Sequence, residues 1–226
     1  YYSCPRVELP LNEIEKKVFG RTRSMDERIL GQSKAVYSVR STDQSILKVC
    51  QDGGAVSSLL KHMLETQSVN CAVVTQTDMN EPLRPVPRIA AETTAVIAGA
   101  GTKYSCGAAV AAIAEAALGY PNGRIAFVGL PCEVQGLRRM GSSPMGNNKL
   151  AERVALTIGL FCSKSYYYKK LVDEFLQQKN HVEPRDVTRV AIKGNRFAVS
   201  AEEEILIEVP VAAIAEYQRE GCRRCV

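Results

Sequence analysis

The chain of 226 residues is poor in the features that mark several broad classes. It has no tryptophan and only 6 % aromatic residues, and nowhere are basic residues interleaved with aromatics on a recognisable module. Nucleic acid is therefore set aside as a partner. No apolar run approaches the roughly 20 residues that span a bilayer. The richest, Ala108 to Leu118, is far shorter and carries Glu115, so no transmembrane segment is expected. The opening Tyr1-Tyr2-Ser3-Cys4 does not read as a signal peptide, and a cytoplasmic location is expected. Lacking an initiator Met, the sequence reads as a trimmed piece of something longer. Internal repeats and low-complexity segments are also missing.

A hydrophobic content of 46 % is enough to bury an ordinary core without disulfides. The net charge of +5 is modest, because 24 acidic residues sit among 29 basic ones, and it hints at no more than an anionic ligand. The eight cysteines are scattered among long apolar runs. That distribution favours a reducing compartment with metal or cluster ligation over a secreted disulfide framework.

Along the chain, residues 1–32 read as a polar lead-in or linker, with Gly20-Arg21-Thr22-Arg23-Ser24 a basic loop between two short helical pieces. Ala35 to Arg40 alternates apolar and polar residues as a half-buried strand does. Helices are expected over Ala55 to Thr66, Glu92 to Ala98 and Gly107 to Leu118, and an amphipathic one over Tyr166 to Lys179. Buried or extended strands are expected over Cys71 to Thr75, Val86 to Ala91, Arg124 to Leu130 and Val154 to Phe161, with Pro131 opening a following helix. Val187 to Ile192, Arg196 to Ser200 and Glu204 to Val209 read as a small antiparallel sheet. The fold class expected is α/β, mainly a mixed sheet flanked by helices, with a small antiparallel extension near the C-terminus.

Cys222-Arg223-Arg224-Cys225 is a CxxC, a spacing at which one turn points two thiolates at one metal or cluster. Cys132 and Cys162 each lie just past a buried strand. In a parallel α/β sheet the carboxyl ends of strands converge on one edge, where ligands bind. Cys132, Cys162, Cys222 and Cys225 therefore form a candidate four-thiolate set, and the arginines between the last two offset the charge of a thiolate-bound cluster. The same four would serve a structural zinc site, and Cys222 with Cys225 would also make a redox dithiol. Cys50, Cys71 and Cys106 read as small buried hydrophobes.

Two glycine-rich loops precede helices: Gln51-Asp52-Gly53-Gly54-Ala55-Val56 and Gly99-Ala100-Gly101-Thr102-Lys103-Tyr104-Ser105. Glycine lets backbone approach a ligand closely, and the first N–H groups of a helix face anions. Together they suggest a phosphate-bearing cofactor, with Lys103 supplying charge and Tyr104 a ring for stacking. Ordinary loop punctuation, with helix capping by Asp52 and Ser105, accounts for them equally. Neither loop fits the GxGxxG or P-loop pattern.

The first loop and Gly101-Thr102-Lys103-Tyr104 of the second, with Pro131-Cys132-Glu133-Val134-Gln135-Gly136-Leu137, Ile158-Gly159-Leu160-Phe161-Cys162 and Gly221-Cys222-Arg223-Arg224-Cys225, resemble in order and spacing the beta-subunit family of coenzyme F-420 hydrogenases and dehydrogenases. The resemblance runs from about Leu30 onward. It implies an FAD-containing subunit that exchanges hydride with the deazaflavin coenzyme and passes single electrons to iron–sulfur clusters of partner subunits. Such subunits belong to hydrogenases, formate dehydrogenases and membrane-associated dehydrogenases of methanogens, so a peripheral membrane complex is among the expected settings. On that basis Gln51, Asp52, Gly53, Gly54, Thr102, Lys103 and Tyr104, with Gln135 as a lesser candidate, are assigned to FAD. Cys132, Cys162, Cys222 and Cys225 are assigned to one 4Fe-4S cluster. No general acid or base is required. Arg138, Arg139, Lys193 and Arg196 can hold the anionic tail of the coenzyme or be solvated surface charges. Residues 33–226 form the cofactor-binding domain, expected to lack a C-terminal portion that family members carry. Cys4-Pro5 resembles the end of a ferredoxin pattern lying upstream. The alternatives are a ferredoxin-dependent flavin and iron–sulfur reductase of another substrate, and a zinc-bound or cluster-bound assembly subunit without flavin.

Overall fold

The computed structural model describes Pro5 and residues 9–223; Cys4, Arg224 and Cys225 lie outside the described residues. In chain order the elements are α1 (Leu11–Phe19), α2 (Gln44–Val49), α3 (Ala55–Glu65), β1 (Cys71–Thr77), β2 (Pro85–Ala90), α4 (Thr93–Ala98), α5 (Ala109–Gly119), β3 (Ile125–Gly129), α6 (Pro131–Met140), α7 (Asn148–Glu152) and β4 (Val154–Gly159). A π-type helix (Lys170–Lys179), β5 (Arg189–Lys193), β6 (Arg196–Ala201), β7 (Glu204–Pro210), a 3-10 helix (Val211–Tyr217) and α8 (Glu220–Arg223) complete it.

The first sheet has the order β2-β1-β3-β4, with β1, β3 and β4 parallel and β2 antiparallel at the edge. Successive side chains of a strand point to opposite faces, and here the two faces are covered by different helices. Cys71 and Val73 of β1 and Ile125 and Phe127 of β3 pack against Ala112, Ile113 and Ala116 of α5 and Leu137 of α6. Ala72 and Val74 of β1 and Ala126 and Val128 of β3 pack against Leu60 of α3 and Val96 of α4. Burial on both faces explains why β1 and β3 read as continuous apolar runs. The second sheet, β5-β6-β7, is antiparallel and closes over the π-type helix, burying Phe197 and Val199 against Leu171, Phe175 and Ile214. The α/β class expected from the sequence is the class observed: a mixed sheet flanked by helices, with an antiparallel sheet toward the C-terminus.

A seam of three chain segments joins the sheets. Ser105 pairs in parallel with Tyr166, and Tyr166 pairs antiparallel with Gln218. The Tyr166 N–H donates to the Tyr104 carbonyl (2.8 Å), while the Tyr104 hydroxyl accepts from the Ile192 N–H of β5 (2.8 Å). The Tyr104 ring meets Phe197 edge-on at 6.0 Å.

Several local expectations are corrected. Ala35 to Arg40 is not a strand: it pairs with no strand among the described residues, and Val36 and Tyr37 are 90 % and 80 % exposed. Alternation alone buries nothing unless a sheet edge is offered to it. Among the described residues the lead-in holds one helix rather than two pieces; α1 ends at Gly20 in the left-handed conformation (φ 77°), and turns follow. That lead-in is docked, since Lys17 donates to the Gly141 carbonyl, and it is braced internally by the buried Glu15 in an ion pair with Arg23. Neither Asp52 nor Ser105 caps a helix: α3 starts from Gly54 and α5 from Ala108, both without a side-chain cap. The amphipathic segment after Tyr166 is wound as a π-type helix from Lys170, burying Leu171, Val172, Phe175 and Leu176.

Phe197 is fully buried and touches Tyr104, Tyr166 and Phe175 edge-on at 6.0, 6.4 and 5.9 Å. Phe197→Ala is expected to cost about 3–5 kcal/mol, read as a lowered midpoint in urea unfolding, and an unchanged midpoint would remove Phe197 from the role of keystone.

Candidate functional site

A cavity of about 440 Å³ opens at the carboxyl ends of the three parallel strands. Val74 and Thr75 at the end of β1, Val128 and Gly129 at the end of β3, and Leu160 and Phe161 just past β4 line it. Both glycine-rich loops form its walls. This is the edge where α/β sheets bind ligands, and the volume is that of a small-molecule site.

The first loop is clamped from outside. The Ser41 N–H donates to the Gly53 carbonyl (2.7 Å), and the Ser58 hydroxyl donates to the Ser41 hydroxyl (2.7 Å). Asp43 accepts from Lys61 (2.7 Å) and from the Ser45 N–H (2.9 Å), and these bonds, the lysine's first, hold its carboxyl well below the usual carboxylate range. Gly54 has φ 73°, and a Cβ there would stand 2.6 Å from Cγ2 of Ile46. A Cβ on Gly53 would stand 2.8 Å from the Val39 carbonyl oxygen. The glycines thus let the loop press down on its own protein, and the uncapped start of α3 lies along the cavity, where Ala55, Val56 and Ser57 line it. Uncapped first-turn N–H groups are suited to an anion.

In the second loop Lys103 bends back: its ammonium donates to the carbonyls of Gly99 (2.7 Å), Ala100 (2.7 Å) and Gly101 (3.2 Å). Burial pushes its pKa down to about 8. Gln51, Asp52, Gly53, Gly54, Thr102 and Lys103 therefore all line one cavity. Tyr104 does not; its ring and hydroxyl are used in the seam, so the expected stacking ring points elsewhere. Gln135 lies on α6, outside the cavity lining.

Two lining residues escaped the reading of the sequence. Glu133 is the third residue of α6, and its carboxylate accepts from the Leu130 N–H (2.8 Å), while burial pushes its pKa up. Its place three residues after the helix cap, behind a proline, is a capping signal that could have found it. Phe161 lines the cavity with its side chain fully exposed, at 108 % relative accessibility. Its place just past a buried strand was the available signal.

Three thiols are neighbours in the chain of residues that line the cavity. Cys132, in the first turn of α6, has its pKa pushed up to about 11, by burial first and then by the neighbouring charges of Cys106, Glu133, Cys162 and Cys222. Cys162 and Cys222 act electrostatically on Cys132, and so does Cys106, which the sequence reads as a core hydrophobe. Cys225 lies outside the described residues. Cys50 lines the cavity, and Cys71 is core, as read. The positive charge beside these thiols comes from Arg219, whose guanidinium acts on Cys106 and Glu133. Among the described residues no group of three or more His, Cys, Asp or Glu side chains is drawn close enough to hold a single metal ion. The ligands expected from the sequence are all sulfur donors, the chemistry that suits an iron–sulfur cluster or zinc.

Cavity and thiols share backbone. Ser105 and Gly107 line the cavity and flank Cys106; Glu133 lines it and follows Cys132; Phe161 lines it and precedes Cys162. The basic residues considered for an anionic tail are placed apart from the cavity. Arg138 and Arg139 lie on α6 with Arg139 buried, Arg196 pairs with Glu208 (3.2 Å) and Lys193 is exposed. None of the four lines the cavity.

Comparison with known proteins agrees with this architecture. Residues 36–115 match the model of the coenzyme F-420 hydrogenase/dehydrogenase beta subunit N-terminal region, and residues 122–226 match that of its C-terminal region. The chain is 27 % identical over 202 residues to the coenzyme F-420 hydrogenase subunit beta of Methanosarcina barkeri, covering 89 % of this chain and 69 % of that one. It is 31 % identical over 176 residues to one of the subunits of the F-420H2 dehydrogenase of Methanosarcina mazei, covering 77 % of this chain and 48 % of the relative. A chain of the F-420-reducing NiFe hydrogenase complex of Methanosarcina barkeri superposes with a TM-score of 0.76 at 27 % identity, covering 84 % of this chain and 66 % of that one. This chain thus spans between half and about two thirds of the length of these relatives. Among the described residues no helix is long and apolar enough to cross a membrane. With both family models matched in series and the same fold in a solved relative, the chain belongs to the coenzyme F-420 hydrogenase/dehydrogenase beta-subunit family.

Proposed function

We propose that this chain is the flavin and iron–sulfur subunit of an F-420-linked oxidoreductase, exchanging hydride between the deazaflavin coenzyme and FAD and single electrons between FAD and a 4Fe-4S cluster. The observation that carries this reading is the shared wall: the residues beside Cys106, Cys132 and Cys162 line the cavity between the glycine loops. A hydride donor delivers two electrons together and a cluster takes one, so a flavin able to do both belongs between them. The names of the relatives supply the coenzyme and the setting in a larger hydrogenase or dehydrogenase complex. FAD would lie along Gln51, Asp52, Gly53, Gly54, Thr102 and Lys103, its phosphates toward the start of α3. The cluster would take Cys132, Cys162, Cys222 and Cys225. The protein's own part is to hold anionic groups with backbone N–H, with the charge of Lys103, whose own N–H groups are taken by the carbonyls of Gly99, Ala100 and Gly101, acting through space, and to enclose the thiols between strand ends and α8. Residues 33–226 would form this domain, with the preceding residues as its lead-in.

The lysine makes one part of this testable by pH. Its depressed pKa of about 8 means that it is charged below that value and loses its proton as pH rises through it. A phosphate nearby favours the charged form through its field, so retention of FAD is expected to weaken above about pH 8 by roughly tenfold, the worth of one pKa unit of charge–charge attraction. Equilibrium dialysis against FAD should show that slope in the native chain and a flat profile in Lys103→Arg; identical profiles would remove Lys103 from the phosphate site.

For the thiols, Cys222→Ser is expected to lower iron content and to weaken the paramagnetic spectrum of the reduced protein. Unchanged iron and spectrum would displace the cluster from this place.

For the substrate, the FAD-loaded chain mixed anaerobically with reduced deazaflavin, reduced nicotinamide or reduced ferredoxin should bleach rapidly with the deazaflavin. Bleaching by ferredoxin and never by deazaflavin would make the chain a ferredoxin-dependent reductase of another substrate.

A further inference from the structure

The cavity offers a flat heterocycle one ring to lie on. Tyr104 is used in the seam, and among the described residues that line the cavity Phe161 is the only aromatic. Its backbone is fixed: the Leu160 N–H donates to the Gly129 carbonyl (3.0 Å), so the pairing of β3 with β4 runs on to the residue before it. Its side chain is packed against nothing, at 108 % relative accessibility. A strand end thus holds an aromatic ring out into water beside a cavity, which forgoes the gain of burial unless a flat group covers it.

The place of Phe161 in the sheet separates it from the glycine loops. The first loop leads through α3 into β1, and the second follows α4, whereas Phe161 leaves β4, at the edge of the order β2-β1-β3-β4. From β1 to β4 is two strand spacings, roughly 10 Å. A cofactor held by the loops therefore has its phosphate end on the β1 side, and Phe161 stands away from it at the exposed rim, where a coenzyme that must enter and leave is met. We propose that Phe161 is a substrate-binding residue on whose ring the heterocycle of the deazaflavin coenzyme stacks, which orients it toward the resident FAD. This rests on the function proposed above. Planar rings prefer offset-stacked contact, and an aliphatic side chain in its place would exclude water without fixing a plane.

The test is equilibrium dialysis of the oxidised deazaflavin coenzyme against the full chain loaded with FAD, with FAD content measured alongside. Phe161→Ala is expected to raise the Kd by roughly tenfold, as loss of one stacking ring does for a bound base. Phe161→Leu should raise it several-fold, Phe161→Tyr should leave it near the native value, and all three should retain native FAD. Because the side chain is exposed, these substitutions remove no packing, and the variants are expected to fold. Native affinity in Phe161→Leu would overturn the proposal by making any apolar side chain sufficient. Loss of FAD from Phe161→Ala would overturn it by placing the ring against the flavin instead. A native chain that binds no deazaflavin, with FAD or without it, would overturn the substrate reading and this proposal together. Deazaflavin bound equally by the native chain and by Phe161→Ala would overturn this proposal alone.

Discussion

The pairing of Ser105 with Tyr166, and of Tyr166 with Gln218, is the constraint on which the rest of the site depends. The first sheet brings Cys132 and Cys162 to its carboxyl edge, but Cys222 follows a separate antiparallel sheet with its own core. Nothing in the periodicity of either sheet relates one to the other. The seam does so with backbone hydrogen bonds, and Tyr104 reinforces it by accepting from Ile192 and packing its ring on Phe197. Tyr166 is fully buried there, and burial pushes its phenol up to about 12, so it stays neutral over the range in which a protein of this kind works.

The cavity has a different origin. It is the space left where three parallel strands stop and two loops fold over their ends. Those loops are held by packing against the protein rather than by reaching for a ligand: Gly54 is required by its left-handed backbone and by the approach of Ile46, and Lys103 by the carbonyls that end α4. Walls fixed in this way before anything binds leave backbone N–H groups in place at little ordering cost, which is the advantage of preorganisation.

Much of this was legible in the sequence. The run up to Leu130 followed by proline announced β3 and α6, because an apolar strand and a helix-initiating proline are local signals. The turns at Gly194-Asn195 and Ala201-Glu202 set apart β5, β6 and β7 for the same reason. Cys132 and Cys162 could be picked out by their places just past strands. Residues whose role depends on partners distant in the chain were not legible. Cys106 reads as a small hydrophobe until Tyr166 is laid beside Ser105, and Tyr104 reads as a free ring until Phe197 is set against it. The alternation at Ala35 to Arg40 signals a strand, yet the segment crosses the first glycine loop instead, its end fixed by the bond from Ser41 to Gly53.

The alternation of residues along the shared wall, one facing the cavity and the next facing the thiols, has a thermodynamic consequence. Ser105 to Gly107, Cys132 with Glu133, and Phe161 with Cys162 are each a single short piece of backbone. Whatever stiffens such a piece from one side has already spent the entropy that an occupant of the other side would otherwise have to spend. By linkage such help would be equal in both directions, so occupants of the two sides would favour one another without any movement of the sheet.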